Sequence, residues 1–393
     1  AEAASTLRWM APFLPFAALH FVVIQGTRGF DTMKPLVAIE RIGRAMALPL
    51  VVGIVALAGG GPRPVGAAWA ATNVVGLALS GLTMHRRTRA LVAASGRPAA
   101  RLDRATRREF WAFTAPRAVG QTSEVAINWF DTILVGALLG TTPAGIYASG
   151  TRYLQPGMFA SEALMQVSSP RLSGLMATGE QHEASRLAQL VGGWQTVVVW
   201  PIYVIVLAFP HPLLAIFGHE VLQATDALRW LALAMLVVTP LGPSAAVILM
   251  GGRSRQAMVN TLVALVVNIG GNLLFVEHHG ITAAGAVWAA TILVGALQPA
   301  WQAHRTLGVT TWGRPALLAV ALAASTLGVV AVGVRLVLGD DLGALLVAGS
   351  LGTSLYAAGL WRARSALHLD LWWAGLRRQA PAAPARPLLR GSA

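Results

Sequence analysis

Arg117, Gln121, Glu124, Asn128 and Asp131 fall at i, i+4, i+7, i+11 and i+14 within an otherwise apolar stretch, residues 114–139. On an α-helix that spacing makes one polar stripe along the whole length. The next apolar stretch, 145–169, carries Arg152, Gln155, Glu162, Gln166 and Ser169, again mostly on one face. Ionisable groups inside apolar helices are costly and line water or a partner helix. Two chemistries follow. Arg117 and Arg152 are planar donor forks suited to the paired oxygens of a diphosphate, with Gln121, Asn128 and Gln155 as neutral donors alongside. Glu124, Glu162 and Asp131 are carboxylates able to take up a proton or a cation. The turn "GTTPAG" folds the stretches into an antiparallel hairpin. Asp131 then shares a depth with Arg152, so a salt bridge is expected there, and Glu124 shares a depth with Glu162. A purely structural account is also open: Asp131–Arg152 packs two helices and Arg117 snorkels to the interface.

Other polar residues carry weaker signals. Asn260, Asn268 and Asn272 read equally well as ligands or as hydrogen-bonding glue between helices. His20 stands alone in an apolar run and reads as packing. The chain has no cysteine, hence no disulfide, thiolate metal site or cysteine nucleophile. His278–His279 have no carboxylate or histidine at ligand spacing. No Ser/His/Asp grouping and no phosphate-cradling glycine loop is present. No catalytic residues, no metal, no cofactor and no nucleic-acid partner are expected.

These groups need helices in a membrane to position them. The 393 residues are 55% apolar and 12% charged, against about 25% charged in soluble domains, and mean hydropathy is +0.61. Eleven spans are expected, at about 11–27, 45–59, 65–84, 114–139, 145–169, 190–209, 225–250, 257–276, 281–302, 315–338 and 342–361, each near the ~20 residues that cross a bilayer. Alternating the loops places 24 of the 30 Lys and Arg on one side and four on the other. Cytoplasmic loops collect such cations. The loop 85–109 and the C-terminus are therefore expected in the cytoplasm, with residue 1 outside. That split explains the net charge of +14 without nucleic acid. Trp9, Trp69, Trp111, Trp230, Trp301 and Trp361 lie near span ends, where interfacial anchors sit. The tail "ALHLDLWWAGLRR" is amphipathic and suits the cytoplasmic surface, and a disordered end follows.

The chain also repeats itself. "GAAWAATNVVG" (66–76) returns as "GAVWAATILVG" (285–295), and "LRW" at 7–9 returns at 228–230. About 75 residues, three spans each, are duplicated in parallel orientation. Transporters are commonly built from such repeats, with the path between the halves. Three spans precede the second copy and none the first. A complete protein would thus have two six-helix lobes and a final pair, 14 spans, with three N-terminal spans missing here.

"WFDTILVGALLGTTPAGIYASGTRYLQ" (129–155), "SSPRLSGLMATGE" (168–180) and the run from "LGPSAAVILMGGRSR" to "GITAAGAVWAATILV" resemble segments of bacterial polysaccharide transporters. Over residues 7–305 the chain is similar to Wzx-type oligosaccharide flippases of the MOP superfamily. The resemblance implies an all-α polytopic membrane protein with a MOP (MATE-like) two-lobe bundle, about eleven helices being present. It implies a second half of the N-terminal lobe at 1–85, a basic cytoplasmic linker at 86–109, a C-terminal six-helix lobe at 110–305, an additional helix pair at 306–362 and a cytoplasmic tail at 363–393. It implies no enzyme but a flippase at the bacterial cytoplasmic membrane, serving polysaccharide or lipopolysaccharide biosynthesis. The partners would be a lipid-linked oligosaccharide (polyprenyl diphosphate), membrane lipids, H+ or Na+, and polysaccharide-assembly proteins. Arg152 falls where relatives carry a basic cavity residue. A lipid II flippase of the MurJ/MviN type is the nearest alternative. A MATE-type drug or cation antiporter fits the terminal pair less well, and a membrane glycosyltransferase or polymerase would need a longer outer loop.

Overall fold

The computed structural model describes residues 2–30, 32–95 and 103–370. Arg97 and Arg101 of the basic segment, and the tail from residue 371, lie outside the described residues. Among the described residues the elements are helical, with no strand. The chain divides into two compact units, parting between Asp103 and Arg104.

In the first unit, α1 (Glu2–Met10), α2 (Leu14–Gly26) and α3 (Ala45–Leu57) each pack on the long α4 (Pro62–Ser95), and a π-helical segment, Leu36–Arg44, leads into α3. The basic linker expected from residue 86 is, as far as Ser95, the continuation of α4.

The second unit begins with α5 (Arg104–Leu139), α6 (Thr141–Thr151) and α7 (Gln155–Thr178). It continues with α8 (Gln181–Ala208), α9 (Pro210–Ala215), α10 (Thr225–Val238) and α11 (Ser244–Met250). The long α12 (Ser254–Leu307), α13 (Arg314–Ala323), α14 (Val329–Leu338) and α15 (Leu342–Ala363) complete it. Its core gathers Tyr147, Leu154, Tyr203, Phe209, Leu214, Leu228 and Leu231, all fully buried. A buried hydroxyl needs a partner: Tyr203 donates to the Leu154 carbonyl at 2.7 Å and Tyr356 to that of Val197 at 2.9 Å. The second of these bonds ties α15 to α8.

Backbone breaks shape the bundle. Gly140 at φ 98° and Gly280 at φ 66° occupy conformations a side chain disfavours. The first separates α5 from α6. The second splits α12 into two arms, 254–279 and 281–307. A 3-10 turn, Arg152–Leu154, followed by Pro156, redirects the chain from α6 to α7.

Seven helical stretches among the described residues are long and apolar enough to cross a membrane. The protein is a multi-pass membrane protein. Helices overlie all eleven expected spans, but several of these differ in kind. Span 45–59 contains only the 13-residue α3, span 145–169 is broken at Arg152–Leu154, and spans 257–276 and 281–302 are arms of one kinked helix. Span 114–139 lies in a helix whose polar stripe lowers its hydropathy. The outward surface is apolar: Leu57 is 91% exposed and Leu336 and Val337 each 81%. In water such exposure would be penalised, whereas hydrocarbon accepts it.

The duplicated sequence makes a duplicated contact. A methyl group on Gly66 would strike Thr6 of α1, and one on Gly285 would strike Ala227 of α10. Thr6 and Ala227 are equivalent in the Leu-Arg-Trp register, so the same glycine lets the same pair of helices approach in both units.

Candidate functional site

The stripe predicted on α5 divides in two. Arg117, Gln121, Glu124 and Asn128 are exposed, whereas Asp131 is 1% exposed. Neighbouring helices cause the division. α6 packs along α5 near the hairpin turn and covers Asp131, whereas α7, redirected at the Arg152 turn, packs on α8 and α11. The lower part of the polar face of α5 is left open. Arg152, on the turn, and Gln155, Glu162 and Gln166, on α7, are all exposed.

Each carboxylate on the open faces is held by an amide of its own helix. Gln121 donates to Glu124 at 3.2 Å and Gln166 to Glu162 at 3.1 Å. Asn128 donates to the Glu124 backbone carbonyl at 3.1 Å. Glu124 and Glu162 lie within electrostatic range of each other. Arg117 and Arg152 have no carboxylate partner: none of the ion pairs among the described residues includes either. The turn that presents Arg152 is clamped from α8, where Tyr203 bonds the Leu154 carbonyl and its ring fills the space beside Gly157.

The expected Asp131–Arg152 salt bridge is not formed. Asp131 Oδ2 accepts from the Tyr147 hydroxyl at 2.8 Å and Oδ1 from the Thr132 N–H at 2.7 Å. Tyr147 lies on α6, one helical turn and more before Arg152, so the covering helix supplies a hydroxyl where a guanidinium was expected. Asp131 is thus a buried carboxylate with no cation beside it.

Two of the asparagines carry buried atoms without partners. Asn268 is fully buried and neither its Oδ1 nor its Nδ2 has a partner. Asn272, one turn on, donates to the Asn268 carbonyl at 2.7 Å and leaves its Oδ1 unpaired. Gly120 of α5 meets Met258 of α12, where an added methyl would lie 3.4 Å from the Met258 Cα. Alternating passes make α5 and the first arm of α12 parallel. At about 1.5 Å per residue, Asp131 lies about 16 Å above that contact, Asn268 about 15 Å and Asn272 about 21 Å. The two arms of α12 are registered by the Asn260–Gln302 pair and by Gly271 against Val287. Interpolation sets buried Thr291 level with Asn268. By this register Asp131, Asn268 and Thr291 lie at similar depth, with Asn272 one turn beyond. Oxygen donors of this kind suit a small hard cation or a bound water. Asn260, by contrast, is helix glue: it and Gln302 exchange hydrogen bonds at 2.6 and 2.9 Å. Among the described residues, no three His, Cys, Asp or Glu side chains form a metal-binding group.

Residues 116–274 match the MatE family model. That segment runs from the start of the polar stripe to just beyond Asn272. Two solved structures are similar to the chain. One is a MOP superfamily transporter from Pyrococcus furiosus described as having a binding pocket of reversed polarity, with 14% identity and a TM-score of 0.40. The other is a multidrug resistance MATE family transporter of the MOP superfamily in an outward-facing conformation, with 14% identity and a TM-score of 0.41. Each match covers 67% of this chain and 66% of the other, so the chain spans just under two thirds of those proteins' length. A search of curated proteins gives no match.

Within the first unit, His20 is not alone. It is 2% exposed, and its Nε2 lies 2.9 Å from Glu40 and its Nδ1 3.3 Å from Ser80. Arg44 donates to the other Glu40 oxygen at 2.7 Å. Burial pushes the Glu40 carboxyl up, but the hydrogen bonds from His20 and Arg44, with their charges, outweigh it and hold it below the ordinary range. The 20-residue gap from His20 to Glu40 hid this cluster, because only the fold of the π-helical segment against α2 closes it.

Proposed function

We propose that the chain is part of a MOP-superfamily transporter. Its cargo is a polyprenyl-diphosphate-linked oligosaccharide, carried from the cytoplasmic to the outer leaflet of a bacterial membrane by alternating access, with the C-terminus cytoplasmic. Arg117, Arg152, Gln121, Asn128 and Gln155 receive the headgroup. Glu124, Glu162 and Asp131 respond to the coupling H+ or Na+, with Asn268 and Asn272 completing the buried site around Asp131. The MatE match over 116–274 supports the superfamily. The observation that carries the cargo class is the pair of exposed arginines without a carboxylate. A guanidinium at membrane depth needs water or an anion, and its planar donor fork fits the paired oxygens of a diphosphate. A sugar headgroup crosses only through a hydrated passage, while its polyprenyl tail stays in hydrocarbon. The open faces of α5 and α7 are polar enough to wet such a passage.

Binding tests this directly. Native mass spectrometry of the purified chain should show a polyprenyl diphosphate retained in preference to the corresponding alcohol. Charge-assisted hydrogen bonds contribute about 1.5–3 kcal/mol each, so Arg152→Gln should weaken retention at least tenfold. Arg152→Ala should also abolish rescue of a flippase-deficient strain by the complete protein at unchanged expression. Equal retention of diphosphate and alcohol, or tighter binding of an organic cation, would refute the cargo class.

A further inference from the structure

At the arginine-rich end of α12, a groove of about 420 Å³ opens between the two arms, lined by Arg253, Arg255, Gln256, Val259, Asn260 and Gln302. Its floor is the reciprocal Asn260–Gln302 amide pair, so those polar atoms are already satisfied. Its rim is cationic. Arg253 is anchored through one nitrogen to the Thr306 carbonyl at 2.9 Å, which leaves its remaining donors free. Arg255 is exposed, and no ion pair among the described residues includes Arg253, Arg255 or Arg305. From residue 227 to 339 the only acidic residue is Glu277, close to the kink at the opposite end of the arms.

We infer that this groove binds the phosphate headgroup of an anionic membrane phospholipid. The apolar surroundings distinguish a lipid from a free phosphate. Val259 lines the groove, and the same face of the arm continues as exposed Val263 and Val266, a track for an acyl chain beneath the arginines. On the other arm Trp301 is 55% exposed beside Gln302, with the Arg305 guanidinium 5.1 Å from its ring centroid. That pairing of an exposed indole with a cation belongs at headgroup depth. Basic pockets between membrane helices on the cytoplasmic side bind such headgroups. Neither Arg117 nor Arg152 is among the residues lining the groove, and the assignment does not depend on what the transporter carries.

Native mass spectrometry of the full chain, in detergent with equal phosphatidylglycerol and phosphatidylcholine, tests the inference. One phosphatidylglycerol should be retained preferentially. Arg253→Gln with Arg255→Gln should reduce that preference about 25-fold, at about fivefold per juxtamembrane arginine. Arg86→Gln with Arg87→Gln, an equal charge loss on α4, should leave it unchanged. Arg255→Gln alone removes an exposed side chain and gives a test at about fivefold should the double variant fold poorly. Equal loss in the α4 variant would reduce the effect to diffuse attraction and overturn the site. Equal retention of phosphatidylcholine would overturn it as well. Displacement of the lipid by millimolar inorganic phosphate would make it a phosphate site and overturn the lipid assignment.

Discussion

Replacing Asn268 with leucine separates a ligand site from a packing defect. Asn268 buries an amide with both polar atoms unpaired, and Asn272 Oδ1 is unpaired one turn away. An unsatisfied buried polar group costs about 1–3 kcal/mol. Within a membrane the unfolded reference also lacks water, so the lower end, about 1 kcal/mol per group, applies. Without a bound ion, Asn268→Leu should therefore be more stable than the parent by roughly 1–2 kcal/mol, a rise in Tm of about 2–8 °C. The parent should respond to its ion. At a hundredfold excess over Kd, a cation that binds only the folded state adds about 2.7 kcal/mol, or about 5–10 °C. Thermal unfolding in detergent, with choline replacing Na+ at constant ionic strength, measures both effects. The parent should gain with Na+. Asn268→Leu should start higher and stay flat, and Asp131→Asn should also lose the gain. A response to pH but not to Na+ would assign the proton. A parent indifferent to both, or a leucine variant with the full response, would refute the reasoning.

Three further outcomes follow from other parts of the molecule. Glu40 is held below the ordinary carboxylate range by His20 and Arg44. Its contribution is therefore present above the unfolded value of about 4.3 and lost as pH falls through the lower folded value. Below about pH 4.3 the first unit should lose Tm in the parent, and Glu40→Gln should be less stable at pH 7 with a flatter acid profile. Gly285→Ala places a methyl against the Ala227 backbone and should cost about 1–3 kcal/mol as overpacking, read as a lower Tm. Val332→Ala, on the exposed outward face of α14, removes no packed contact and should change Tm by less than about 2 °C in the same measurement.

What was legible depended on whether the signal was local. The helices could be read from their apolar runs, and the repeat from matching letters, because each needs only neighbouring residues. The open positions on α5 and α7 follow from periodicity as far as Asn128 and Gln166. Asp131 breaks the pattern because its environment is decided by α6, which returns over it with Tyr147 in place. A hairpin register places depths well but cannot choose between a hydroxyl at 147 and a guanidinium at 152 when a 3-10 turn intervenes. Asn268 and Asn272 looked like any polar pair in an apolar helix. Only the packing of α5 on the first arm of α12, set where Gly120 meets Met258, puts Asn268 level with a carboxylate far earlier in the chain. Likewise Glu40 meets His20 through a π-helical segment, a winding that no residue spacing announces.

α5 carries two kinds of polar group, one open and one sealed, and the proposed function gives their separation a use. Asn128 is open and Asp131 is sealed, yet they are less than one turn apart on a rigid helix. On the proposed function, a cation arriving at Asp131 would tighten α5 against the helices packed on it. Arg117, Gln121 and Glu124 ride on the same helix and would shift with it relative to Arg152, whose turn is fixed instead through Tyr203 to α8. On the proposed function, coupling would require no contact between ion and cargo, only a helix that binds one on its inner face and the other on its outer face.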